Sequence, residues 1–387
     1  MKDLFSTDLT LGILGGGQLG KMLLTETRKY DIRTKVLDPS ADAPGRLSCN
    51  QFVQGDFKDF DTVYSFGKDV QYLTIEIESV NTDALEKLRD EGVSVNPSPE
   101  VIKIIQNKAG QKEFYRDHQI ATSPFMTFGS KAELLEAVEQ GSVTIPFVWK
   151  AASGGYDGFG VSIVKKKEDL YPLGEGACIA EDLIPFEKEL SVIVARNAQG
   201  EMKCFPTVEM EFHPTANQVE YVLCPADLSN DLDARARDLA MRVADALKLE
   251  GVLAVEMFLT REGEILVNES APRTHNSGHL TIENNYTSQF EQHLRAVLGL
   301  PLGDTTMKCP AVMANLVGAE GHSGDVTYEG YGDLLAMAGV NIHIYGKRQT
   351  RPFRKMGHVT VIGKTRAEAR EMAERAKEGI QVKSIKS

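Results

Sequence analysis

Two glutamates stand at matching positions on either side of a predicted hairpin turn. Residues 252–260 and 264–270 are strand-like runs joined by a short turn, and Glu256 and Glu269 are equally far from its centre. Cross-strand partners point to the same face, so the two carboxylates would repel each other. Mg²⁺, which prefers oxygen ligands, would relieve that repulsion. The alternative is a solvent-facing pair in a shifted register, because the intervening apolar residues could equally define the buried face.

A glycine motif lies close to the start of the chain. Gly15, Gly17 and Gly20 follow a strand-like run and open a helical pattern, and Asp38 ends the next predicted strand. This spacing is that of the dinucleotide fingerprint, in which glycines admit a phosphate and the acid reaches a ribose hydroxyl. The alternative is a tight turn in a Rossmann-like sheet that binds no dinucleotide. The helix N-terminus would still suit a phosphate from another ligand.

A lysine and a second glycine-rich loop stand together near the middle of the chain. Lys150 ends a predicted strand, and the loop SGGYDGFG follows at residues 153–160. A lysine in this place can hold nucleotide phosphates while the loop closes over them. The segment is not a P-loop, because the pattern G-x-x-x-x-G-K-[ST] is absent. A plain hairpin loop is the alternative.

Two further clusters of polar residues carry possible chemistry. The segment at residues 268–279 holds two histidines, an arginine and an asparagine within its last seven residues, next to Glu269, which is unusual for a structural loop. A zinc site is disfavoured there, because a third ligand and the usual adjacent glutamate are missing. Residues 347–358 form a basic cluster that suits a phosphate monoester or a polyphosphate. A solvated charged turn is the alternative for this second cluster.

The predicted elements around these motifs indicate an α/β protein. Strands and helices alternate over residues 9–96, which predicts a parallel sheet covered by helices. The last 80 or so residues resemble a small α/β or β domain. The other predicted helices cover residues 99–118, 131–140, 231–247 and 365–377, and the other predicted strands cover residues 146–150, 161–164, 178–183, 189–195 and 204–208.

Composition and charge narrow the classes of function. The 387 residues are 42% apolar and 25% charged, which is typical of a globular protein of two to three domains. A net charge of −12 disfavours nucleic-acid and anionic-membrane partners. Five cysteines without a C-x-x-C pair predict free thiols in a reducing compartment. The acidic first ten residues and the lack of a long apolar run predict a cytoplasmic protein.

The motifs together resemble the ATP-grasp superfamily and, within it, the N5-carboxyaminoimidazole ribonucleotide synthetase family of purine biosynthesis. The resemblance runs over residues 11–362. It is carried by GGGQLGKM at 15–22, TIEIESV at 74–80, SGGYDG at 153–158, VNESAPRTHNSGH at 267–279 and RKMGH at 354–358.

The resemblance implies an architecture of three parts. An N-terminal Rossmann-like parallel sheet would cover residues 1–107. A central ATP-grasp domain pair would cover residues 108–300, with a mobile lid at about 119–185. A small C-terminal domain would cover residues 301–387.

The resemblance also implies the reaction. ATP would phosphorylate bicarbonate to carboxyphosphate, which would deliver CO₂ to the exocyclic amine of 5-aminoimidazole ribonucleotide. The products would be N5-carboxyaminoimidazole ribonucleotide, ADP and phosphate. The implied cofactors are ATP and Mg²⁺, or Mn²⁺ in its place, with bicarbonate as co-substrate. The implied partners are these small molecules and a second copy of the chain in a homodimer.

Site residues follow from the resemblance position by position. Those implied to bind ATP are Lys108, Lys150, Ser153, Gly154, Gly155, Tyr156, Asp157, Gly158, Glu181, Asp182, Leu183, Ile184, Glu189, His213, Asn268 and Glu269. Those implied to bind the ribonucleotide are Gln18, Leu19, Glu78, Tyr156, Asn276, Ser277, Lys347, Arg354 and Lys355. The implied catalytic residues are Asp157, Arg273, His275 and Lys347, and the implied metal ligands are Glu256 and Glu269.

The chain departs from the family pattern at three positions. Phe159 stands where the family usually has Arg or Lys, and Phe353 stands where a glycine is common. His213 lies one position away from where the family often has a histidine. Phe159 would remove one positively charged contact to a phosphate or substrate, and Phe353 would change the shape of the loop before Arg354 and Lys355.

Three other functions remain as alternatives. A formate-using glycinamide ribonucleotide transformylase or a biotin carboxylase-like enzyme would share the superfamily but not the THNSGH and RKMGH segments. A dinucleotide-dependent oxidoreductase would leave Lys150 and the glutamate pair without a role. A non-catalytic nucleotide-binding module would bind ATP without substrate-stimulated hydrolysis.

Overall fold

The N-terminal part is a five-stranded parallel sheet. The computed structural model describes residues 8–154, 160–216 and 218–385. Strand order is β3-β2-β1-β4-β5, and all pairings are parallel. Its strands are β1 (Thr10–Leu14), β2 (Arg33–Asp38), β3 (Gln51–Gln54), β4 (Tyr72–Ile75) and β5 (Ser94–Val95), and its helices are α1 (Gln18–Lys29), α2 (Phe60–Gly67) and α3 (Thr82–Asp90).

Strand order in this sheet reverses between β1 and β4, and that reversal opens a crevice. Ligands of open α/β sheets bind at the carboxyl ends of strands where the order reverses. The glycine motif follows β1 directly, and Glu76 to Glu78 follow β4. The sheet therefore brings both segments to one crevice. The predicted alternation of strands and helices is confirmed here, although β3 and α2 were not predicted.

Two helices connect this sheet to the rest of the chain, where one continuous helix was predicted. They are α4 (Pro99–Gln106) and α5 (Lys108–Asp117). The break falls at Asn107, which is extended with φ −117° and ψ 108°. Its side chain accepts a hydrogen bond from the Gly110 N–H at 3.0 Å and so caps α5. Lys108 consequently lies in the first turn of a new helix.

A separate small sheet contains Lys150. This small sheet consists of β6 (Phe125–Phe128), β7 (Phe147–Ala151), β8 (Val161–Val164) and β9 (Cys178–Asp182), in the order β6-β9-β7-β8. The helix α6 (Lys131–Glu139) follows β6 along the chain. Phe147 and Trp149 pack into a core of their own with Leu134. The small sheet therefore has its own hydrophobic core.

A nine-stranded large sheet forms the body of the protein. Its strand order is β15-β14-β10-β12-β13-β16-β20-β18, and β11 pairs with β10. The central strands are β10 (Phe186–Arg196), β11 (Met202–Cys204), β12 (Val208–Phe212), β13 (Val219–Cys224), β14 (Gly251–Thr260) and β15 (Ile265–Ala271), and α7 (Asn230–Ala246) packs on them.

The prediction of one strand over 204–208 is wrong, and β13 was not predicted. The chain passes through Pro206 between β11 and β12, and proline has no N–H to give to a ladder. Both strands still belong to the large sheet through β10.

The C-terminal region continues the large sheet. Its elements are α8 (Thr281–Asn284), α9 (Gln289–Val297), β16 (Ala311–Val317), β17 (Gly324–Glu329), α10 (Tyr331–Leu335), β18 (Val340–Ile344), β19 (Gln349–Thr350), β20 (Lys355–Ile362), α11 (Arg366–Gly379) and β21 (Gln381–Ser384). Strand β16 pairs with β13, and β20 and β18 follow it. Ala369, Ala373 and Ala376 are fully buried, because α11 lies directly on these strands. The remaining strands form a three-stranded sheet, β19-β17-β21.

Two expectations from composition can be compared with this fold. All five cysteines are free, as their number and spacing predicted. Of the helices in the described part of the chain, none combines the length and hydrophobicity that crossing a bilayer requires.

Candidate active site

The two hairpin glutamates are cross-strand partners, as predicted, although a bulge and not the symmetry of their positions brings them together. Glu256 on β14 lies opposite Glu269 on β15. Between Glu256 and Met257 the register shifts, and Met257 lies opposite Val267. Asn268 is therefore the extra residue of a β-bulge. A regular hairpin with this turn would have placed Asn268, not Glu269, opposite Glu256.

The bulge gives Asn268 a role in the site. Its Oδ1 accepts a hydrogen bond from Lys150 Nζ at 2.9 Å. Bulges beside active sites commonly redirect one side chain in this way. The large sheet and the small sheet thus meet through an asparagine and a lysine that were both predicted to bind ATP.

A lysine and a histidine from two other elements contact the glutamate pair. Lys108 Nζ lies 2.5 Å from Glu269 Oε2, and His275 Nε2 lies 3.3 Å from Glu256 Oε1. Burial and the neighbouring Glu269 raise the pKa of Glu256 above its usual range. Lys108 holds the pKa of Glu269 below its usual range. The carboxylates repel each other; the Lys108 ammonium group compensates Glu269, and the His275 ring faces Glu256.

This donor set fits a divalent cation shared with a substrate. Among the described residues, no group of three or more His, Cys, Asp or Glu is arranged to hold a metal ion. Two carboxylates on adjacent strands nevertheless suit Mg²⁺, which usually keeps several waters and binds one or two carboxylates plus substrate phosphates. Burial and repulsion from Glu269 both raise the pKa of Glu256, and a bound cation would favour the charged carboxylate against both effects.

A buried ion cluster lies behind Lys150. Lys150 Nζ lies 3.0 Å from Glu181 Oε1, and Lys112 Nζ lies 3.1 Å from Glu181 Oε2. Ser123 Oγ donates to Glu181 Oε2 at 2.8 Å. Both oxygens of the Glu181 carboxylate are thus held by cations. Glu181 was predicted to bind ATP, whereas Lys112 was not singled out from the sequence.

The segment after Glu181 leads from the small sheet to β10. Asp182 ends β9 and donates its N–H to Pro124 O at 2.9 Å, and Leu183 is 37% exposed. Ile184 accepts the Phe186 N–H at 2.9 Å. Glu189, farther along on β10, has its pKa raised to about 7 by burial, against the effect of Lys150. Glu189 therefore lies in the same charged region as Lys150.

The THNSGH loop is fixed by a glutamine that was not predicted. Gln289, at the start of α9, accepts the His275 N–H at 2.8 Å and donates to His275 O at 2.7 Å. His275 Nδ1 lies 2.9 Å from Ser277 Oγ. Asn276 and Asn315 exchange hydrogen bonds of 2.9 and 3.0 Å. These contacts leave the His275 ring directed at Glu256.

Arg273 joins this loop to the N-terminal crevice. Its Nε lies 2.8 Å from Glu78 Oε1. Glu78 belongs to the TIEIESV segment, so two segments nearly 200 residues apart meet at one ion pair. The glutamate pair and the crevice beside the glycine motif are therefore parts of a single site.

The basic cluster reaches the same site from the C-terminal region. Lys347 Nζ donates to Lys355 O at 2.8 Å, and Arg354 Nη1 donates to Gln349 O at 2.5 Å. The charge of Lys355 counteracts the rise in the pKa of Glu256. Burial and then the nearby Arg351 lower the pKa of Arg354. Crowded cations of this kind favour a bound anion.

The glycine motif holds the protein's own carboxylates. Asp38 Oδ2 accepts the Gly16 N–H at 2.8 Å, and Glu76 Oε2 accepts the Gly20 N–H at 2.9 Å. A Cβ at Gly17 would overlap Glu76 Oε1. Gly17 and Gly20 therefore leave room for Glu76, whose carboxylate accepts an N–H in the first turn of α1, the part of the fingerprint that would bind a phosphate. This arrangement disfavours the oxidoreductase alternative.

The two ribonucleotide residues predicted on α1 have different environments. Gln18 begins the helix and is half-buried, whereas Leu19 is 8% exposed and packs into the core with Tyr345. A contact from Leu19 to a ligand would consequently use its backbone.

One departure from the family pattern has a direct backbone explanation. Phe353 adopts φ 61°, in the left-handed region that favours glycine. Its ring lies 5.7 Å from the His213 ring, edge to face. His213 Nδ1 accepts the Ala216 N–H at 3.1 Å, which assigns the ring hydrogen to Nε2. The two departures at 213 and 353 thus contact each other.

The second glycine-rich loop is described only at its two ends. Ser153 and Gly154 are exposed, and Gly154 has φ 80°. Ala151 N donates to Gly160 O at 2.9 Å and closes the base of the loop. Gly155, Tyr156, Asp157, Gly158 and Phe159 lie outside the described residues.

Three residues that organise the site were missed from the sequence. Lys112 follows Lys108 by four residues, a spacing that places both on one helix face. Glu76 alternates with Glu78 in the quoted TIEIESV segment. Gln289 carried no local signal, because its partners lie in a loop that packs on it only in the folded chain.

Fold and site together define the class of protein. A family model described as an ATP-grasp domain matches residues 113–290. A model described as a ribonucleotide synthetase preATP-grasp domain matches residues 9–106. A third, described as a phosphoribosylaminoimidazole carboxylase C-terminal domain, matches residues 311–372. The chain is an ATP-grasp protein.

Individual relatives narrow the class to a family. An N5-carboxyaminoimidazole ribonucleotide synthase of Bacillus subtilis is 38% identical over 363 residues, which are 93% of each chain. A chloroplastic phosphoribosylaminoimidazole carboxylase of Vigna aconitifolia is 40% identical, and the match covers 92% of this chain but 64% of that protein. The chain belongs to the N5-carboxyaminoimidazole ribonucleotide synthase family.

Solved structures agree with this assignment. The synthetase from Thermotoga maritima superposes with a TM-score of 0.89 and 40% identity, covering 97% of this chain and 100% of that one. A synthase from Aspergillus clavatus in complex with ADP and 5-aminoimidazole ribonucleotide superposes with a TM-score of 0.86 and 32% identity, covering 96% and 98%. The predicted fold class is therefore confirmed.

Proposed function

We propose that this chain is an ATP-dependent carboxylating ligase that converts 5-aminoimidazole ribonucleotide to N5-carboxyaminoimidazole ribonucleotide, a step of purine biosynthesis. The observation that carries the proposal is the ion pair between Arg273 and Glu78. It joins the cation-compensated glutamate pair, which suits a nucleotide triphosphate, to the crevice at the glycine motif. The names of the relatives supply the acceptor.

ATP would bind between the small sheet and the large sheet. Lys108 and Lys150 would hold its phosphates, and Glu189 would accept hydrogen bonds from the ribose hydroxyls. The segment Glu181, Asp182, Leu183 and Ile184 would contact adenine through its backbone, and the loop that begins at Ser153 and Gly154 would close over the phosphates. His213 would contribute its Nε2 hydrogen.

Glu256 and Glu269 would hold Mg²⁺, with Mn²⁺ as a substitute, and Asn268 would lie beside them. The cation would neutralise charge on the transferred phosphoryl group when bound. Lys108 already compensates Glu269, so its ammonium group would move toward the phosphates as the cation takes its place beside the carboxylate.

No protein nucleophile is needed for the reaction. A bicarbonate oxygen attacks the γ-phosphorus of ATP and ADP leaves. Carboxyphosphate then releases phosphate and CO₂, and the exocyclic amine attacks the carbon and loses a proton. Arg273 and His275 would position the bicarbonate-derived group, and the site must exclude water from this labile intermediate.

The ribonucleotide would lie in the crevice of the N-terminal sheet. Glu78 and the start of α1 at Gln18 and Leu19 would contact its base and ribose. Its phosphate would be bound by the basic cluster, and the THNSGH loop would close the other side. The basic cluster would contribute Lys347, Arg354 and Lys355, and the THNSGH loop would contribute Asn276 and Ser277.

The proposal also covers the domain division, the oligomeric state and the cellular compartment of the protein. The small sheet would act as a lid, within a division into residues 1–107, 108–300 and 301–387. The chain would act as a homodimer in the cytoplasm.

The deciding experiment is ADP release from Mg-ATP and bicarbonate, with and without 5-aminoimidazole ribonucleotide. Strong stimulation by the ribonucleotide is expected. Turnover with formate and glycinamide ribonucleotide, and none with aminoimidazole ribonucleotide, would refute the proposal. ATP binding without any stimulated hydrolysis would favour the non-catalytic module, and tight NADH binding would revive the oxidoreductase.

A matched pair of variants tests the metal assignment. Glu269→Ala should abolish Mg-dependent turnover while the protein stays folded. Glu262→Ala, in the exposed turn of the same hairpin, should leave turnover unchanged. Normal activity of the Glu269 variant would contradict the assignment.

A further inference from the structure

One lysine in the body of the protein is nearly inaccessible to solvent. Lys112 lies one turn after Lys108 on α5 and is 2% exposed. Its Nζ lies 2.7 Å from Thr122 Oγ1, 3.0 Å from Ser123 Oγ and 3.1 Å from Glu181 Oε2. An ammonium group has three hydrogens to donate, so this environment matches its full capacity.

These three partners belong to the two connections between the small sheet and the body. Thr122 and Ser123 lie on the chain that enters the small sheet before β6. Glu181 lies in β9, just before the chain leaves the small sheet toward β10. Thr122 Oγ1 also donates to Val267 O on β15 at 2.6 Å. A single ammonium group therefore ties both connections to α5.

The same ammonium group acts on Lys150 through Glu181. Burial alone would raise the pKa of Glu181, but Lys150 and Lys112 outweigh it and hold that pKa below its usual range. Burial lowers the pKa of Lys112 to about 8, against the opposing effect of Glu181. Below that pH, Glu181 is an anion between two ammonium groups, and the three groups carry a net charge of +1. Lys150 is positioned by Glu181 without being fully neutralised by it, and so retains attraction for a phosphate.

We propose that Lys112 is a positioning residue for the nucleotide, which holds Glu181 and through it aims Lys150 at the phosphates. This inference rests on the proposed function, because it assumes that Lys150 binds ATP. Its contacts involve the nucleotide side of the site alone. The ribonucleotide, bound across the cleft at the glycine motif, should be unaffected.

A purely structural role makes different predictions. A buried ion cluster that only stabilises the fold would lower the melting temperature when broken and leave ligand affinity unchanged. A positioning role predicts a selective loss of nucleotide affinity. It also predicts recovery in a variant that keeps the charge, because arginine retains a positive group beside Glu181.

The test compares Lys112→Met with Lys112→Arg by calorimetric titration of Mg-ADP into the full-length protein. Removing a charge-assisted contact predicts a Kd raised about tenfold or more in Lys112→Met. Lys112→Arg should recover most of that loss. At saturating ATP, the KM for the ribonucleotide should stay at the wild-type value.

Lys131→Met is the matched control. Lys131 is also buried at 8%, and its Nζ also has three partners, but these are Tyr171 O, Leu173 O and Glu175 at the far side of the small sheet. This control should lower the melting temperature without changing the Kd for Mg-ADP.

Ser123→Ala is a milder variant that can replace Lys112→Met in the same titration if Lys112→Met does not fold. It removes only the hydroxyl that donates to Glu181 and should raise the Kd about two- to threefold. A wild-type Kd in the folded Lys112→Met or Ser123→Ala variant would overturn the inference. Failure of the wild-type protein to bind Mg-ADP would instead overturn the proposed function.

Discussion

Replacing Glu76 by glutamine should change how the stability of the protein depends on pH. Its carboxylate lies under the glycine motif, where burial raises its pKa to about 7, against the opposing effect of the Gly20 N–H. The nearby Asp38 adds to the rise. In the unfolded chain the pKa of the same group lies near its ordinary value of 4.5.

The sign follows from proton counting. Between these two pKa values, the folded protein keeps a proton on Glu76 that the unfolded chain has lost. The contribution of Glu76 to the free energy of unfolding is therefore highest below pH 4.5, and it falls as the pH rises through 7. From pH 5.5 to pH 8 this single group should remove about 2 kcal/mol, or nearer 1 kcal/mol after allowance for its partial exposure.

The assay is urea unfolding of the wild type and Glu76→Gln at pH 5.5, 6.5, 7.5 and 8. Glutamine stays neutral, so the stability of the variant relative to the wild type should rise by about 1–2 kcal/mol over this range. Glu262→Gln, an exposed change in the hairpin turn, should show no such trend. A constant difference between Glu76→Gln and the wild type would refute the reasoning.

Three further variants test other parts of the site. Gly17→Ala should lower the free energy of unfolding by about 1–3 kcal/mol, because its Cβ would meet Glu76; thermal unfolding of the double variant with Glu76→Ser should show a smaller loss, and an equal loss would exclude that contact as the cause. Arg354→Ala should raise the KM for the ribonucleotide about tenfold with little change in the KM for ATP, and a normal KM would reject a phosphate contact. Phe353→Gly should be more stable than Phe353→Ala by about 1 kcal/mol in thermal unfolding, because only glycine adopts φ 61° without cost, and equal melting temperatures would contradict that reading.

The predicted pairing of Glu256 with Glu269 is correct, but local patterns alone do not account for it. The strands that carry the two glutamates were evident from the sequence, but the observed turn is centred on Glu262, and its regular partner for Glu256 would be Asn268. The bulge at Asn268 was not predicted, because the alternation of a strand has a period of two and does not mark an extra residue. Its effect on Lys150 depends on the small sheet, which only the folded chain brings near.

Other features depend on partners that are distant in sequence. The glycines of the motif were recognised, but Glu76 lies more than 50 residues later and reaches them only when β4 pairs beside β1. The break at Asn107 depends on a side-chain cap that competes with continuation of the helix. The strand boundaries near Pro206 were misjudged because proline limits pairing inside an otherwise apolar run.

The continuity of the large sheet bears on how such a protein can be divided or recombined. Strand β16 supplies the hydrogen bonds along one side of β13, where Val222 is completely buried. A chain cut at residue 300 would leave β13 as a long apolar edge, which invites pairing with other molecules. The C-terminal region is therefore not an accessory that can be exchanged as a module. The C-terminal region should therefore be kept in one chain with the rest of the large sheet in any truncated or recombined form of the protein.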